Sequence, residues 1–298
     1  MTQNTCGVLP NACKFASKLH KMKFLNLSKG LQCTPAIAHE TFVFSGGEPH
    51  LKITDRVVGE PVGVTVQART AADFILLLLA IDALHHLGAA SVEVFIPYFP
   101  AARQDRRMVG GEPLSVKVYA QMLNTAPVRR VFTFDAHSEV APAVLDRCTN
   151  ISNHDFIRSV ISAIPSNNLA LVAPDAGSAK KMHHLAAALG WKNVVQCDKT
   201  RDVTTGQLSN PNVFTDDLRG IDCLIVDDIC DGGGTFIQLA EALKNKNAGR
   251  IYLAVSHGIF SKGTDVLVPH FERIFTTNSF YNGGATPLID MVPLSFPG

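Results

Sequence analysis

Short apolar runs alternate with longer stretches of mixed polarity along most of the chain. Five of these runs are rich in β-branched or aromatic residues and have the length of buried strands. They lie at residues 92–98, 131–134, 169–172, 224–226 and 251–255. Stretches with the length and composition of helices lie among them, most clearly at 71–87 and 236–244. Strands that alternate with helices predict βαβ units and an α/β fold with parallel sheets.

The length of the chain predicts two domains, because 298 residues are too many for one domain of about 150 residues. The polar segment 148–153 separates two strand-rich halves, so we predict one domain at 22–150 and another at 151–298. Residues 1–21 mix Gly, Pro, Asn and Lys with no continuous apolar stretch. We therefore expect an N-terminal extension there and not a secretory signal.

The composition argues against several classes of protein. Lys and Arg number 27 against 26 Asp and Glu, a formal net charge of +1, which argues against a broad nucleic-acid-binding face but not against a local basic pocket. The longest apolar run, residues 74–81, is too short to cross about 30 Å of membrane hydrocarbon. The seven cysteines form no CxxC pair, so we expect a reducing, cytoplasmic setting and neither a disulfide framework nor a zinc knuckle.

Polar clusters follow several of the predicted strands. They lie after Tyr98 and at residues 135–139, 175–178 and 227–235. In open α/β sheets, ligands bind beyond the carboxyl ends of the strands. The clusters therefore predict an active site between the two halves of the chain.

The segment VDDICDGGGT at 226–235 carries the strongest chemical signal. A strand delivers two adjacent acids that suit paired sugar hydroxyls. A glycine-rich turn then opens a helix, whose first N–H groups and dipole favour a phosphate. A tight turn with an acidic cap is the plainer interpretation, but the acid pair and the final Thr favour a sugar-phosphate site. Its predicted residues are Asp227, Asp228, Asp231, Gly232, Gly233, Gly234 and Thr235.

This segment resembles the phosphoribosyl diphosphate-binding loop of type I phosphoribosyltransferases. Further segments narrow the resemblance to the ribose-phosphate pyrophosphokinase family, and they occur in that family's order and spacing across residues 22–280. They are IPYFPAARQDRR (96–107), FDAHSE (134–139), APDAGSAKK (173–181), DKTR (198–201) and SHGIFSKG (256–263). The resemblance implies two type I phosphoribosyltransferase-like domains, the first on the ATP side and the second on the sugar-phosphate side.

The resemblance also assigns residues to ATP. Guanidinium groups suit phosphate oxygens, and the family binds ATP at the positions of Arg103 and Gln104. The family contacts adenine through an F-x-D-G-E segment, usually across a subunit boundary. The matching segment here holds Phe44, Gly46, Gly47 and Glu48. A homodimer or a hexamer is therefore implied.

The resemblance further implies a metal and a catalytic pair. His137 and Asp175 match ligands or close neighbours of Mg²⁺ beside the ATP phosphates, and Mg²⁺ needs few protein ligands because it keeps water and phosphate oxygens. Lys199 and Arg201 match a pair on a mobile loop that closes over the transferring phosphate, where two cations offset transition-state charge. The implied reaction is attack by the anomeric hydroxyl of ribose 5-phosphate on the β-phosphorus of ATP, with AMP leaving.

Other charged side chains near these motifs have a plainer interpretation. The helix expected after Asp175 carries several basic residues. They are Lys180, Lys181, His183 and His184. We interpret this group as a polar helix face and not as ligands.

The chain departs from the family's pattern in four places. Gly232 replaces a Thr that would donate to the 5-phosphate of the sugar, a hydrogen bond worth roughly 1.5–3 kcal/mol. Gly46 replaces the Asp of the adenine segment. Val58 and Glu112 replace arginines that help to bind phosphate or ADP regulators, which weakens the case for that allosteric control. The chain ends about 20 residues after the TTNS segment at 276–279, so we expect the family's last helix to be absent and the subunit interface to differ.

Three alternative functions stay open. Gly232 is compatible with ADP-ribose as the acceptor, a reaction that some phage-associated relatives of the family are thought to use in NAD⁺ resynthesis. The family also includes synthetase-associated proteins without full activity, but the matched Lys199, Arg201 and His137 argue against that role. A plain phosphoribosyltransferase is disfavoured by the RQDRR segment, which such enzymes lack.

Overall fold

The first half of the chain forms a parallel sheet with a small hairpin beside it. The computed structural model describes residues 22–198 and 211–297. The elements of this half are β1 (Lys23–Asn26), β2 (His39–Val43), β3 (Pro49–Ile53), β4 (Pro61–Thr65), α1 (Ala71–His86), β5 (Ser91–Phe95), α2 (Ser115–Asn124), β6 (Arg130–Phe134), α3 (Val140–Val144) and β7 (Cys148–Ile151). The sheet has the strand order β1–β4–β5–β6–β7 and is parallel throughout, whereas β2 and β3 form an antiparallel hairpin.

The second half forms a larger sheet. Its elements are α4 (His154–Ala163), β8 (Leu169–Ala173), α5 (Ala176–Leu189), β9 (Val194–Asp198), β10 (Asn212–Val213), β11 (Asp222–Cys230), α6 (Gly234–Asn245), β12 (Ile251–Gly258), a 3₁₀ turn (Asp265–Leu267), β13 (Arg273–Thr277) and β14 (Ile289–Val292). The strand order is β10–β9–β8–β11–β12–β13–β14. Only the pairing of β10 with β9 is antiparallel among these described strands.

The predicted strands are all present, as β5, β6, β8, β11 and β12, and the α/β fold with parallel sheets is confirmed. The largest difference concerns β11. The sequence predicts that this strand ends at Val226, whereas it continues through both adjacent acids to Cys230. Asp227 and Ile229 still pair with β12. The ladder of a central strand therefore keeps these residues extended.

Side-chain caps fix the starts of two helices that follow strands. At α1, Thr70 Oγ1 accepts from the Asp73 backbone N–H at 3.2 Å, and Asp73 Oδ2 accepts from the Thr70 N–H at 2.7 Å. At α5, Asp175 Oδ1 accepts from the Ser178 N–H at 2.9 Å. These reciprocal caps satisfy N–H groups that have no partner within the helix. The cap at Asp175 sets where α5 begins beside the second sheet.

One apolar cluster joins the two sheets. Phe95 and Phe132 of the first sheet share it with Tyr252 of the second. The ring of Phe296 lies 5.1, 6.0 and 5.6 Å from those of Phe24, Phe95 and Phe132, measured between centroids. Burial of a phenylalanine of this kind stabilises a fold by about 1.5–3 kcal/mol. The shared core therefore fixes the positions of the two sheets, and of the loops that follow their strands, relative to each other.

The predicted division between residues 150 and 151 falls inside β7, the edge strand of the first sheet. The helix after it, α4, packs on the second half, against α5 and β12. The domain boundary at this point stays a prediction. Within the part of the chain that the structure describes, no helix combines the length and the apolar character that a membrane crossing requires.

Candidate active site

Side chains that follow β5 and β6 contact acids in and after β11. His137 Nδ1 lies 2.6 Å from Asp228 Oδ2, and Arg103 Nη1 lies 2.8 Å from Asp231 Oδ2. The partners are 91 and 128 positions apart in the chain. The structure therefore brings residues predicted for ATP and its metal against residues predicted for the sugar phosphate.

A tight turn carries the chain from β11 into α6. Gly233 has a φ of +78°, and a Cβ there would stand 2.7 Å from Leu267 Cδ2, so the turn requires glycine for its backbone and for its space. The N–H groups of Ile259 and Phe260 donate to the Cys230 carbonyl at 2.8 and 3.1 Å, which fixes the turn to the segment after β12. The first N–H groups of the 12-residue α6 lie at the positive end of the helix dipole. This end can bind a phosphate.

The pKa values of the two adjacent acids of β11 are shifted in opposite directions. The Asp228 N–H donates to Asp227 Oδ1 at 2.9 Å. Burial works to raise the pKa of Asp228, but the hydrogen bond to His137 and the charge of Lys181 outweigh it and lower that pKa to about 2. Burial and the Asp228 charge raise the pKa of Asp227 well above its usual range. The pair therefore offers an ionised acceptor beside a carboxyl that holds a proton more readily, and both can bond sugar hydroxyls.

Lys181 belongs to this cluster in addition to the polar helix face that the sequence predicts, and its side chain is 46% exposed. Its Nζ lies 2.7 Å from the Ala136 carbonyl oxygen, 3.6 Å from Asp135 Oδ1 and 3.9 Å from Asp228 Oδ2. Because α5 starts directly after β8, its second turn passes the carboxyl ends of the neighbouring strands. A lysine six positions after a strand-end acid, in the second turn of the helix, is the sequence signal that points there. The adjacent Lys180 is exposed.

A buried polar network supports the cluster. Asp135 Oδ2 accepts from Ser256 Oγ at 2.5 Å and from Asn153 Nδ2 at 2.9 Å. His257 places Nε2 3.3 Å from the Asp135 carbonyl oxygen and Nδ1 2.8 Å from Ser279 Oγ. Burial raises the pKa of Asp135 and lowers that of His257, which keeps the imidazole neutral. Sequence reasoning includes Asp135, Ser256 and His257 in segments near the site but gives none of the network residues a role, although each lies within two positions of the carboxyl end of a strand.

The predicted adenine segment forms the exposed turn of the β2–β3 hairpin. Phe44 is 53% exposed, and its ring centroid lies 5.5 Å from that of His50. A Cβ on Gly46 would stand 2.5 Å from Glu48 Oε2, so the absent side chain leaves room for that carboxylate. Gly47 completes the turn with a φ of +93°. Among the described residues, no hydrogen bond, ion pair or ring contact joins this turn to the contacts between the two halves.

The donors around the acid pair fit a Mg²⁺ ion that shares its coordination with a substrate. Asp175 lies near enough for its charge to raise the pKa of Asp227 further, and a divalent cation relieves such repulsion between carboxylates. Asp228 engages Nδ1 of His137, so Nε2 is the ring nitrogen that can face a ligand. Within the described ranges, no three His, Cys, Asp or Glu side chains could hold a metal by themselves. Phosphate oxygens of a nucleotide would complete the coordination, as is usual for Mg²⁺.

The predicted catalytic pair Lys199 and Arg201 lies outside the described residues, so its role stays a prediction. Gln104 is exposed beside Arg103. Thr235 lies in the first turn of α6. Among the residues that the structure describes, neither Gln104 nor Thr235 makes a hydrogen bond or ion pair between the two halves.

Both halves of the chain have known relatives. Residues 17–126 match the N-terminal domain of ribose phosphate pyrophosphokinase, and residues 149–285 match the phosphoribosyl transferase domain. The chain is 34% identical over 222 residues to a ribose-phosphate pyrophosphokinase of Vibrio parahaemolyticus, which covers 73% of this chain and 70% of that protein. The chain belongs to the ribose-phosphate pyrophosphokinase family.

Longer matches lie within the same pyrophosphokinase family. A ribose-phosphate pyrophosphokinase of Maricaulis maris is 33% identical over 267 residues, or 86% of this chain and 84% of that protein. The crystal structure of phosphoribosylpyrophosphate synthetase from Mycobacterium smegmatis matches with a TM-score of 0.78 over 92% of this chain and 94% of that chain, at 22% identity. These matches confirm the predicted fold class, two phosphoribosyltransferase-like domains with mostly parallel sheets.

Two departures from the pyrophosphokinase pattern lie at the surface. Val58 is 58% exposed. Glu112 Oε2 accepts from the backbone N–H groups of Met108 and Val109 at 2.8 and 3.2 Å, so its carboxylate closes a loop of its own. Neither position presents a guanidinium to an anionic regulator.

Proposed function

We propose that the chain transfers the diphosphate of ATP to the anomeric hydroxyl of ribose 5-phosphate, giving phosphoribosyl diphosphate and AMP. One observation carries this proposal: Arg103 of the ATP segment bonds Asp231 of the sugar-phosphate loop at 2.8 Å. A nucleotide bound on one side of this contact would lie next to a sugar bound on the other. The relatives named ribose-phosphate pyrophosphokinase support the same reaction.

The acceptor is held, in this proposal, at both ends of the turn after β11. The ionised Asp228 accepts hydrogen bonds from the sugar hydroxyls, and Asp227 provides a second oxygen pair beside it. The N–H groups from Gly232 to Thr235 bind the 5-phosphate at the start of α6.

The nucleotide is held by residues from two places. Arg103 and Gln104 bind phosphate oxygens, for which a guanidinium can supply two parallel hydrogen bonds. Phe44 stacks on the adenine and Glu48 accepts from its amino group. Because this hairpin turn is exposed and makes no described contact with the site of its own chain, we assign it to the nucleotide of a second copy. A homodimer is then the smallest active unit, and a hexamer would be built from such dimers.

The transfer forms a bond between the C1 oxygen and the β-phosphorus. The bond from that phosphorus to the oxygen shared with the α-phosphate breaks, AMP leaves, and the hydroxyl releases its proton. Mg²⁺, when bound, supplies positive charge at the phosphate oxygens. Arg103 and Lys181 add positive charge from the protein, and Lys199 and Arg201 are assigned to the charge that builds up on the transferring group.

A second acceptor, ADP-ribose, is favoured by one observation. Gly232 presents no hydroxyl, and a Cβ at this position would meet only the flexible stem of Lys262, at 3.4 Å. Only a flexible side chain therefore covers this end of the phosphate loop, and it can move to admit a phosphate that is esterified to a second one. Transfer to ADP-ribose would use the same acid pair and would feed NAD⁺ resynthesis.

The deciding experiment supplies the purified full-length protein with ATP and Mg²⁺ and either ribose 5-phosphate or ADP-ribose. We expect AMP release and phosphoribosyl diphosphate with ribose 5-phosphate. A preference of about a hundredfold for ADP-ribose in kcat/KM would make that molecule the acceptor instead. No AMP with either acceptor would overturn both proposals and favour a synthetase-associated role.

The matched controls are Lys199→Ala and Lys117→Ala. The first variant should abolish AMP release, and the second removes a surface lysine of α2 and should leave it unchanged. AMP release that survives in Lys199→Ala at the full rate would point to a contaminating activity.

A further inference from the structure

A lysine side chain lies across Gly232, one of the two glycines of the phosphate loop whose backbone is not left-handed. A Cβ on Gly232 would contact Cδ and Cε of Lys262 at 3.4 Å and Cγ at 3.6 Å. These are ordinary van der Waals separations. The stem of Lys262 therefore covers the space into which a side chain at residue 232 would project.

The backbone around Lys262 is fixed to the same loop. The Ser261 N–H donates to the Asp231 carbonyl at 3.1 Å, and the Gly263 N–H closes a turn onto the Phe260 carbonyl at 2.9 Å. Gly263 has a φ of +76°, which suits glycine at this point of the turn. Main-chain hydrogen bonds on both sides of Lys262 therefore fix its backbone beside the loop.

The ammonium charge of Lys262 acts on the loop. The pKa of Asp231 is lowered, first by a hydrogen bond from Ser261 and then by Arg103, and the charge of Lys262 adds to this effect. Among the described residues, no hydrogen bond or ion pair engages Lys262 Nζ itself. The loop thus has a cation beside its N–H groups that an anionic ligand can use.

We propose that Lys262 is a specificity-determining residue of the acceptor site, where its ammonium group takes the place of a hydroxyl at residue 232 in binding the phosphate of a 5-phosphorylated ribose. This inference rests on the proposed function of the same loop. A charge on a flexible stem, unlike a short hydroxyl, can follow either a terminal phosphate or one esterified to a further group. Ribose 5-phosphate and ADP-ribose are the two sources of this chemistry.

Calorimetric titration tests the inference without turnover. Ribose 5-phosphate and, separately, ADP-ribose are titrated in the presence of Mg²⁺ into the wild type, Lys262→Ala and Lys262→Arg. We expect Lys262→Ala to lower the affinity for the tighter-binding ligand about tenfold, because a charged hydrogen bond is lost. Lys262→Arg should lower that affinity less. The affinity for ATP should not change. Because Lys262 is exposed, the substitutions should not unfold the chain.

A rescue variant separates binding from a merely structural role. Gly232→Thr placed in the Lys262→Ala background restores a donor at the loop and should recover part of the lost affinity. Three outcomes would overturn the inference. They are an unchanged affinity of Lys262→Ala for the acceptor, an equal loss of affinity for ATP, and a wild type that binds neither ribose 5-phosphate nor ADP-ribose. Binding that depends on Lys262 without any AMP release would leave the inference standing and refute the proposed function alone.

Discussion

Arg103 and Asp231 form an ion pair of 2.8 Å between the two halves of the chain, and their side chains are still 48% and 43% exposed. Water screens a pair of this kind, so it stabilises a fold by at most about 1 kcal/mol. The ion pair therefore matters for the placement of the Arg103 side chain more than for stability. It holds a guanidinium at the edge of the phosphate loop, where both proposed substrates would meet.

Removal of the Arg103 guanidinium should damage catalysis far more than stability. We expect Arg103→Ala to raise the KM for ATP by about tenfold or more, because charged hydrogen bonds to phosphate are lost. The free energy of unfolding should fall by less than about 1 kcal/mol. Steady-state kinetics and urea unfolding measure the two effects. Arg158→Ala, which removes an exposed guanidinium paired with Asp155 on α4, is the control, and an unchanged KM for ATP in Arg103→Ala would contradict the assignment.

The His137–Asp228 pair should be visible in a histidine titration. The hydrogen bond to Asp228 raises the pKa of His137 above its ordinary value, against the effect of burial. Asp228→Asn removes that charge, so the pKa of His137 should fall. NMR of the carbon-bound ring protons measures it. Asp217→Asn, at an exposed aspartate on the surface, should not move it, and a His137 pKa that is equal in wild type and Asp228→Asn would show that the pair does not form.

The pair also fixes a pH window for stability. A raised histidine pKa stabilises the fold below the ordinary histidine pKa, and this contribution is lost as the pH rises through the raised value. A lowered aspartate pKa stabilises the fold at pH values above the ordinary value of 3.8. This contribution is lost as the pH falls through the lowered pKa of about 2. The contribution of the pair is thus largest between about pH 4 and about pH 6.5. The difference in unfolding free energy between wild type and His137→Asn should peak in that range.

The sequence predicts the strands and the segments around the site because each depends on local information. An apolar run of β-branched residues predicts a buried strand, and the glycines after the acid pair predict the turn that follows it, although the strand itself continues past the acids to Cys230. Asp228 and Asp231 could therefore be assigned before the structure. Their partners His137 and Arg103 could be assigned to the same site only through the family resemblance, since nothing local joins positions so far apart.

The other features of the fold and the site depend on tertiary contacts that the sequence alone does not show. Lys180 and Lys181 are neighbours of one type on one helix, and only the direction of α5 decides that Lys181 faces Asp228. The packing of Phe296 against Phe24 joins the two ends of the described chain. The hairpin β2–β3 has few buried positions, so it lacks the alternation of a half-buried strand. These features follow from tertiary structure alone.

The two neighbouring lysines of α5 offer a matched test of the site. Lys181 Nζ lies 3.6 Å from the buried Asp135 and 3.9 Å from Asp228, so Lys181→Met removes this cation from both acids and leaves Asp228 with His137. We expect kcat/KM for AMP release to fall at least about tenfold, because positive charge next to the transferring phosphate is lost. Lys180→Met changes the same residue type one position away and should keep nearly full activity. Equal losses in the two variants would show that the helix, and not the ammonium of Lys181, matters.

A second ion pair, at the opposite end of β11 from the site, should control acid stability. Asp222, whose side chain is only 12% exposed, accepts from Arg250 Nη2 at 2.8 Å and from the Arg250 backbone N–H at 2.7 Å. Burial works to raise the pKa of Asp222, but the hydrogen bonds from Arg250 and Ser166 outweigh it and leave that pKa below its ordinary value. The contribution is therefore present above the ordinary aspartate pKa and is lost as the pH falls through the lowered one.

Arg250→Gln should accordingly cost about 1–2 kcal/mol of unfolding free energy near neutral pH, because a nearly buried carboxylate loses its charged donor. The difference from wild type should shrink as the pH falls below the ordinary aspartate value of 3.8 and through the lowered pKa of Asp222, where this carboxyl becomes protonated in both proteins. Urea unfolding across that range measures it. Arg129→Gln is the matched control, since its guanidinium stands 3.6 Å from the mostly buried Glu93 and should contribute less. A loss of unfolding free energy in Arg250→Gln that stays constant with pH would contradict this prediction. It would mean that Arg250 stabilises the fold through neutral groups, such as the Pro165 carbonyl to which it donates at 2.7 Å.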